Sequence, residues 1–275
     1  MSNKILVLGG TGKTGRRVVE RLTAMKLPVA IGSRNTQPAF DWENSAMWVE
    51  VLQDINKVYI TFQPDLAIPS AVETITEFVK TAKESGVQHL VLLSGRGEKE
   101  AQLCENIVIN SGLDWTIIRA SWFMQNFSEG FFLDSILANE MVLPKTNSKE
   151  PFINVDDIAD VVVNTLVNDI HSKKIYELTG PELLTFENAV SKIAGVKKQN
   201  ILYQEVSIDE YVDLLRSYQL PEDSIWLIKY LFTEVLDGRN ESVTNDIEKV
   251  LGRKAKDFDN YAIETLETGI WNNEN

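Results

Sequence analysis

The chain has 275 residues, 44% of them hydrophobic, and sets 27 Lys and Arg against 40 Asp and Glu for a net charge of −13. That is apolar material enough for a large core, while the acidic balance argues against a generic nucleic-acid surface and no run of eighteen apolar residues exists to span a membrane. A single cysteine, Cys104, excludes an intrachain disulfide framework and a cysteine-rich metal site.

In chain order, Ile5-Leu6-Val7-Leu8 is a short branched apolar run of the kind a strand buried on both faces requires. It breaks into Gly9-Gly10-Thr11-Gly12-Lys13-Thr14-Gly15. A helical pattern follows, with Val18, Val19 and Leu22 on one face, and Leu27–Gly32 reads as a second strand. Strand, glycine turn, helix and strand make one βαβ unit, whose turn brings backbone N–H groups and a positive helix end to a phosphate. Two phosphate motifs compete at this turn. Gly12-Lys13-Thr14 matches the end of a P-loop, but that motif needs a glycine five positions earlier, where Val7 stands inside the strand. Gly9, Gly12 and Gly15 instead fit GxxGxxG, the spacing of a dinucleotide turn. A loop that merely turns tightly is the structural alternative.

The end of the second strand bears on which dinucleotide. An NAD site places Asp or Glu about 20 residues past the glycines to accept the ribose 2′-hydroxyl. Here Gly32-Ser33-Arg34-Asn35 carries no carboxylate. Arg34 suits a 2′-phosphate and Ser33 can donate to it, which favours NADP(H); the alternative leaves Arg34 a solvated loop cation.

Pro38–Trp42 reads as a short third strand with Asp41 at its exit, followed by a helix near Ser45–Gln53. Val58–Phe62 reads as a fourth strand, and a helix from about Pro69 to Ser85 carries Val72, Ile75, Phe78, Val79 and Ala82 at helical spacing. His89–Ser94 is a fifth strand, Lys99–Asn110 a helix, and Trp115–Arg119 a sixth strand. Strands alternating with helices predict a parallel, doubly wound sheet of Rossmann type. Ligands of such sheets sit at the carboxyl ends of the strands. The expected cofactor residues are therefore Gly9, Thr11, Gly12, Lys13, Thr14, Gly15, Ser33, Arg34, Asp41, Thr61, Phe62, Gln63 and Ser94. Beyond about residue 121 the rhythm loosens: Asp156-Asp157 opens a helix over Ile158–Val167, Ile175–Leu178 is a late strand, and Thr185 caps another helix. From Val206 onward the pattern is mainly helical. The expected division is a dinucleotide-binding domain over 1–150 and a smaller, mainly helical lobe over 151–275, interleaved with the sheet edge.

GGTGKTG, Leu92-Leu93-Ser94, SGLDWTIIRASWFMQNF (Ser111–Phe127), PFINVDDIADV (Pro151–Val161) and LTGPELLTFENA (Leu178–Ala189) together resemble the NmrA-like group of atypical short-chain dehydrogenase/reductases. Within it, Phe40–Asn44 and the WFMQNFSE and GPELLT segments look most like the agroclavine and festuclavine dehydrogenases of ergot-alkaloid metabolism. The resemblance implies an extended Rossmann fold, NADPH as cofactor, and a pocket between the sheet edge and the C-terminal lobe.

Typical members of the wider superfamily use a Tyr-x-x-x-Lys pair, in which the phenol passes a proton to a carbonyl oxygen. Four residues after Tyr59, Tyr176, Tyr203, Tyr211, Tyr218, Tyr230 and Tyr261 stand Gln63, Gly180, Ser207, Leu215, Glu222, Glu234 and Thr265, none of them lysine. Two readings remain. One is hydride transfer to an acceptor already electrophilic, such as an iminium, a quinone or a conjugated dye, with Arg96, Trp122, Phe123, Met124 and Phe127 against the substrate; ordinary core packing is the alternative for the aromatic cluster. The other is a sensor that binds NADP(H) without turnover and acts through a protein partner, as NmrA-type regulators do. His89 and His171 are expected to be structural or solvated, Cys104 buried, and Asp156-Asp157 a helix start instead of a metal site; no metal is expected. The short apolar stretch of MSNKILVLGG does not suit a cleaved leader, and a reducing cytoplasm is the expected location.

Overall fold

The computed structural model describes residues 4–272. In chain order the elements are β1 (Lys4–Leu8), α1 (Lys13–Ala24), β2 (Val29–Gly32), α2 (Trp48–Val51), β3 (Ile55–Ile60), α3 (Ala71–Glu84), β4 (His89–Gly95), α4 (Ala101–Ile109) and β5 (Asp114–Ala120). Then follow α5 (Asn126–Glu129), α6 (Leu133–Ala138), β6 (Glu140–Pro144), α7 (Val155–Val167), β7 (Lys174–Leu178), α8 (Phe186–Lys197) and β8 (Leu202–Val206). Four helices close the chain: α9 (Ile208–Ser217), α10 (Glu222–Tyr230), α11 (Asp246–Leu251) and α12 (Phe258–Glu267). No helix among the described residues is long and apolar enough to cross a membrane.

These elements form two compact units that do not divide at residue 150. One comprises the chain up to Ala120 with Asp156–Leu178 and Asp246–Gly252; the other comprises Ser121–Val155, Thr179–Asn245 and the chain from Arg253 onward. The chain re-enters the first unit because β7 extends the sheet beside β5, and a strand's backbone groups must find their partners wherever the ladder lies.

The first unit is a six-stranded, all-parallel sheet in the order β2-β1-β3-β4-β5-β7. Its central strands are buried on both faces, so Leu6, Val7, Leu8, Val58, Tyr59, Ile60, Leu90, Val91 and Leu92 are fully enclosed, as the continuous apolar runs imply. The segment expected as a third strand, Pro38–Trp42, forms none. Both edges of β1 are already taken, by β2 and β3, and Phe40 instead inserts its ring among Trp42, Trp48 and Phe78. The helix expected near Ser45–Gln53 is a 3₁₀ turn at Ser45–Met47 and the single turn of α2. The acidic start of α7 meets α1: Asp156 pairs with Arg17 at 3.3 Å and Arg21 at 2.9 Å, and Asp160 also pairs with Arg21.

The second unit is helical apart from one parallel ribbon of β6 and β8, neither of which the sequence pattern announces. Its core gathers Phe127, Phe132, Phe152, Phe186, Phe258 and Trp271. Thr185 caps α8 as expected, through a reciprocal box with Asn188.

Candidate functional site

The carboxyl ends of β1 and β3 meet where the strand order reverses, the place at which open parallel sheets bind ligands. The glycine turn lies there. Gly9 has φ +62, and a Cβ on it would stand 2.2 Å from Thr61 Oγ1, so both backbone and space require glycine. The Thr61 hydroxyl in turn donates to the Leu8 carbonyl at 3.0 Å, tying β3 to the turn. A Cβ on Gly15 would stand 2.2 Å from the Gly9 carbonyl oxygen: α1 packs directly on the turn. Gly12 differs. Its N–H donates to the Gly9 carbonyl at 2.8 Å, and an added Cβ would meet nothing in the protein but that same oxygen, at 3.2 Å. The outer face of Gly12 is open.

Gly12 is also the N-cap of α1, which has no side-chain cap and no acid in its first turn. The positive end of a twelve-residue helix therefore faces outward beside an open glycine, the requirement for holding a pyrophosphate. Thr11 is exposed and Lys13 half-buried. Thr14 is buried, and its Oγ1 accepts a hydrogen bond from the Tyr59 hydroxyl at 3.1 Å; its side chain anchors α1 to the sheet, which leaves the backbone N–H as the group available to a phosphate.

Past β2, Thr36 closes a tight turn by donating to the Ser33 carbonyl at 2.8 Å and accepting the Ser33 N–H at 3.1 Å. Arg34 stands exposed on this turn with no hydrogen-bond or ion-pair partner among the described residues. Asp41 uses Oδ1 to accept the Glu43 N–H and its carbonyl to accept the Trp48 indole N–H. Phe62 is half-buried against Trp42, with ring centroids 5.0 Å apart, and Gln63 is exposed. The glycine cradle, the uncapped helix end and the unpaired Arg34 fit a phosphorylated dinucleotide.

At the ends of β4 and β5 the polar groups are engaged with one another. Ser94 donates to Glu105 Oε1 at 2.7 Å. The Arg119 guanidinium forks onto Glu105, with Nε at 3.0 and 3.1 Å and a terminal nitrogen at 2.7 Å. Arg119 also reaches Glu177 Oε1 at 3.3 Å, and Arg96, itself buried, donates to Glu177 Oε2 at 3.1 Å. This network was not legible in the sequence, because Glu105 sits at an apolar-facing position of α4 and only its β5 partner explains a buried acid there.

In the second unit, the expected aromatic wall divides. Met124 and Phe127 are fully buried core residues and present no face to a ligand, contrary to expectation. The segment bearing them is held by the Met124 N–H to the Ile153 carbonyl, beside the isolated bridge of Phe123 with Ile153. Trp122 and Phe123 remain half-exposed, with Trp122 stacked over Phe132 and edge-on to Phe186 and Phe232. A cleft of about 350 Å³ between α9 and α10, lined by Val212, Ile225 and Trp226 with charged neighbours of both signs, contains none of the expected site residues.

Both histidines are structural. His89 Nε2 meets Thr116 Oγ1 at 3.0 Å, and burial, reinforced by Lys57, pushes its pKa down to about 4. His171 is fixed by Tyr176 and Asn164. Cys104 is enclosed, its thiol pushed up to about 12 by burial. No cluster of three or more metal-ligating side chains occurs among the described residues.

A family model described as NAD(P)H-binding matches residues 9–169. Agroclavine dehydrogenase of Claviceps fusiformis is 29% identical, over 92% of this chain and 94% of its own. Among solved structures, an NADPH-dependent quinone oxidoreductase from Escherichia coli, in complex with NADPH, aligns with a TM-score of 0.80 at 18% identity, covering 95% of this chain and 99% of that one. A nucleoside-diphosphate-sugar epimerase from Staphylococcus aureus aligns with a TM-score of 0.81 at 17% identity, covering 94% and 99%. At such identities the two structures carry the fold alone.

Proposed function

The chain belongs to the NAD(P)H-binding family, and on that premise we propose that it is an NADPH-dependent oxidoreductase that transfers hydride to a flat, electrophilic organic acceptor such as an iminium or a quinone, without a Tyr-x-x-x-Lys pair. The observation that carries this reading is the inward face of α4, the helix on which that pair normally sits. It presents Ala101, Cys104, Glu105 and Val108, and Glu105 is bound to Ser94 and Arg119. No phenol lies on it. Elsewhere, burial pushes the phenols of Tyr59, Tyr176, Tyr203 and Tyr211 upward, away from the range of a working acid.

The backbone N–H groups of the glycine turn and of the first turn of α1 hold the pyrophosphate, and Arg34 with Ser33 holds a 2′-phosphate. Once bound, the reduced nicotinamide supplies the hydride. Without a phenol to protonate the acceptor, rate depends on how electrophilic the acceptor already is. The name of the relative, an agroclavine dehydrogenase, supports a small organic acceptor. Of the expected aromatic wall, Trp122 and Phe123 are the residues left open to a ligand. The lone, enclosed Cys104 suits a reducing cytoplasm.

The test is NADPH oxidation against a graded panel. Iminium compounds and quinones are expected to outpace simple ketones by about 10² to 10⁴, the usual worth of general acid help. Ketones reduced as fast as quinones would refute the reading.

A further inference from the structure

The loop that follows β2 carries Ser33 and Arg34, and no strand ladder holds it. It is fastened instead at both ends to the glycine turn. At its start the Gly9 N–H donates to the Gly32 carbonyl at 2.9 Å, so Ser33 leaves β2 directly beside the turn. At its end the indole N–H of the half-buried Trp42 donates to the Thr61 carbonyl at 3.2 Å. Thr61 lies just past β3, where the pairing with β4 has ended. Its hydroxyl bonds in turn to the Leu8 carbonyl at 3.0 Å, against Gly9. Two hydrogen bonds in series therefore run from Trp42, through Thr61, to the residue that opens the glycine turn.

Between these ends the loop is packed and folded on itself. Phe40 is buried, its ring centroid 4.8 Å from that of Trp42 and 5.9 Å from that of Phe78, and its N–H donates to the Ser33 carbonyl at 2.9 Å. Ring packing sets how deeply this segment sits, but apolar burial is non-directional and does not fix a register. A hydrogen bond weakens steeply off line, so it does. The Trp48 indole N–H, donating to the Asp41 carbonyl at 2.8 Å, ties the loop to α2. Trp42 ties it to the strand end that shapes the turn.

We propose that Trp42 is a positioning residue for the cofactor: its indole N–H sets the spacing between the loop of Arg34 and the glycine turn before a nucleotide arrives. The inference rests on the reading above that Arg34 and Ser33 hold a 2′-phosphate. In NADPH the 2′-phosphate and the pyrophosphate hang from the same ribose, so the cofactor demands one spacing between loop and turn. A loop already held at that spacing need not be ordered on binding, which would otherwise cost affinity. NADH has no 2′-phosphate and draws nothing from Arg34. Loss of the Trp42 bond therefore weakens NADPH selectively, whereas a general loosening of the fold weakens both cofactors alike.

The experiment measures the Kd for NADPH and for NADH in the wild type, Trp42→Phe, Arg34→Ala and the double variant. A further protein carries benzothienylalanine in place of Trp42. That residue keeps the size of the indole and lacks its N–H, so it isolates the bond even where Trp42→Phe disturbs the packing. In both proteins altered at Trp42 the preference for NADPH over NADH should fall about 3- to 10-fold, the worth of one neutral hydrogen bond, with the Kd for NADH close to that of the wild type. On the Arg34→Ala background, Trp42→Phe should lower the preference no further, because the loop then has no charge left to place. Equal weakening of both cofactors in the benzothienyl protein, or full additivity in the double variant, overturns the proposal. An Arg34→Ala protein with an unchanged preference overturns the 2′-phosphate reading and the proposal with it. A preference lowered by Arg34→Ala but untouched by the benzothienyl residue overturns the role of Trp42 alone.

Discussion

Replacing Arg34 by Ala should separate NADPH from NADH without disturbing the fold. Arg34 is exposed on the turn closed by Thr36 and has no partner among the described residues, so its removal breaks no internal contact, and stability should stay within about 0.5 kcal/mol of the parent. What is lost is one charge-assisted bond to the 2′-phosphate, worth about 1.5–3 kcal/mol. Because the site is open to solvent and salt, the lower half of that range is the better guide: about 1.5–2 kcal/mol, or roughly a 10- to 30-fold rise in the Kd for NADPH. The Kd for NADH should be unchanged. Arg34→Asp goes further, since it adds repulsion toward the phosphate and supplies the carboxylate that a ribose 2′-hydroxyl binds; it should invert the preference. Titration of each protein with both cofactors, followed by nicotinamide fluorescence at two salt concentrations, measures all of this. The wild-type gap between the cofactors should narrow as salt rises. An unchanged NADPH to NADH affinity ratio in Arg34→Ala would remove Arg34 from the site and with it the argument for NADPH.

Two glycines of one turn should fail in different ways. Gly12→Val places its side chain on the open face, so dinucleotide affinity should be lost while Tm stays near that of the parent; Gly15→Val drives a side chain into the Gly9 carbonyl, so Tm itself should fall. Retained nucleotide binding in Gly12→Val would mean that the turn only shapes the chain. Acid stability should depend on His89. Its pKa is depressed from 6.5 to about 4, so the stability it contributes is present above pH 6.5 and is lost as pH falls through about 4. The full shift is worth about 3 kcal/mol; urea midpoints at pH 7 and pH 4 should converge toward each other in His89→Gln, and an equally steep loss in that variant would place the acid sensitivity elsewhere.

The sequence by itself determined the βαβ start, the all-parallel sheet and the dinucleotide turn. Each of these depends on a local signal: continuous branched runs for strands buried on both faces, and glycines where the backbone or a phosphate leaves no room for a side chain. The expectation of NADP(H) rests on the same kind of local signal, since Ser33 and Arg34 follow β2 directly. Tertiary structure alone decided what distant segments share. Phe40 became a core plug because both edges of β1 were occupied. Met124 and Phe127 went inward while Trp122 and Phe123 kept open faces, in a segment that pairs with Ile153 some thirty residues later. Thr14, a phosphate ligand by motif, turned its hydroxyl to Tyr59. Local patterning governs backbone conformation, whereas protonation and burial depend on which charges the fold brings within contact.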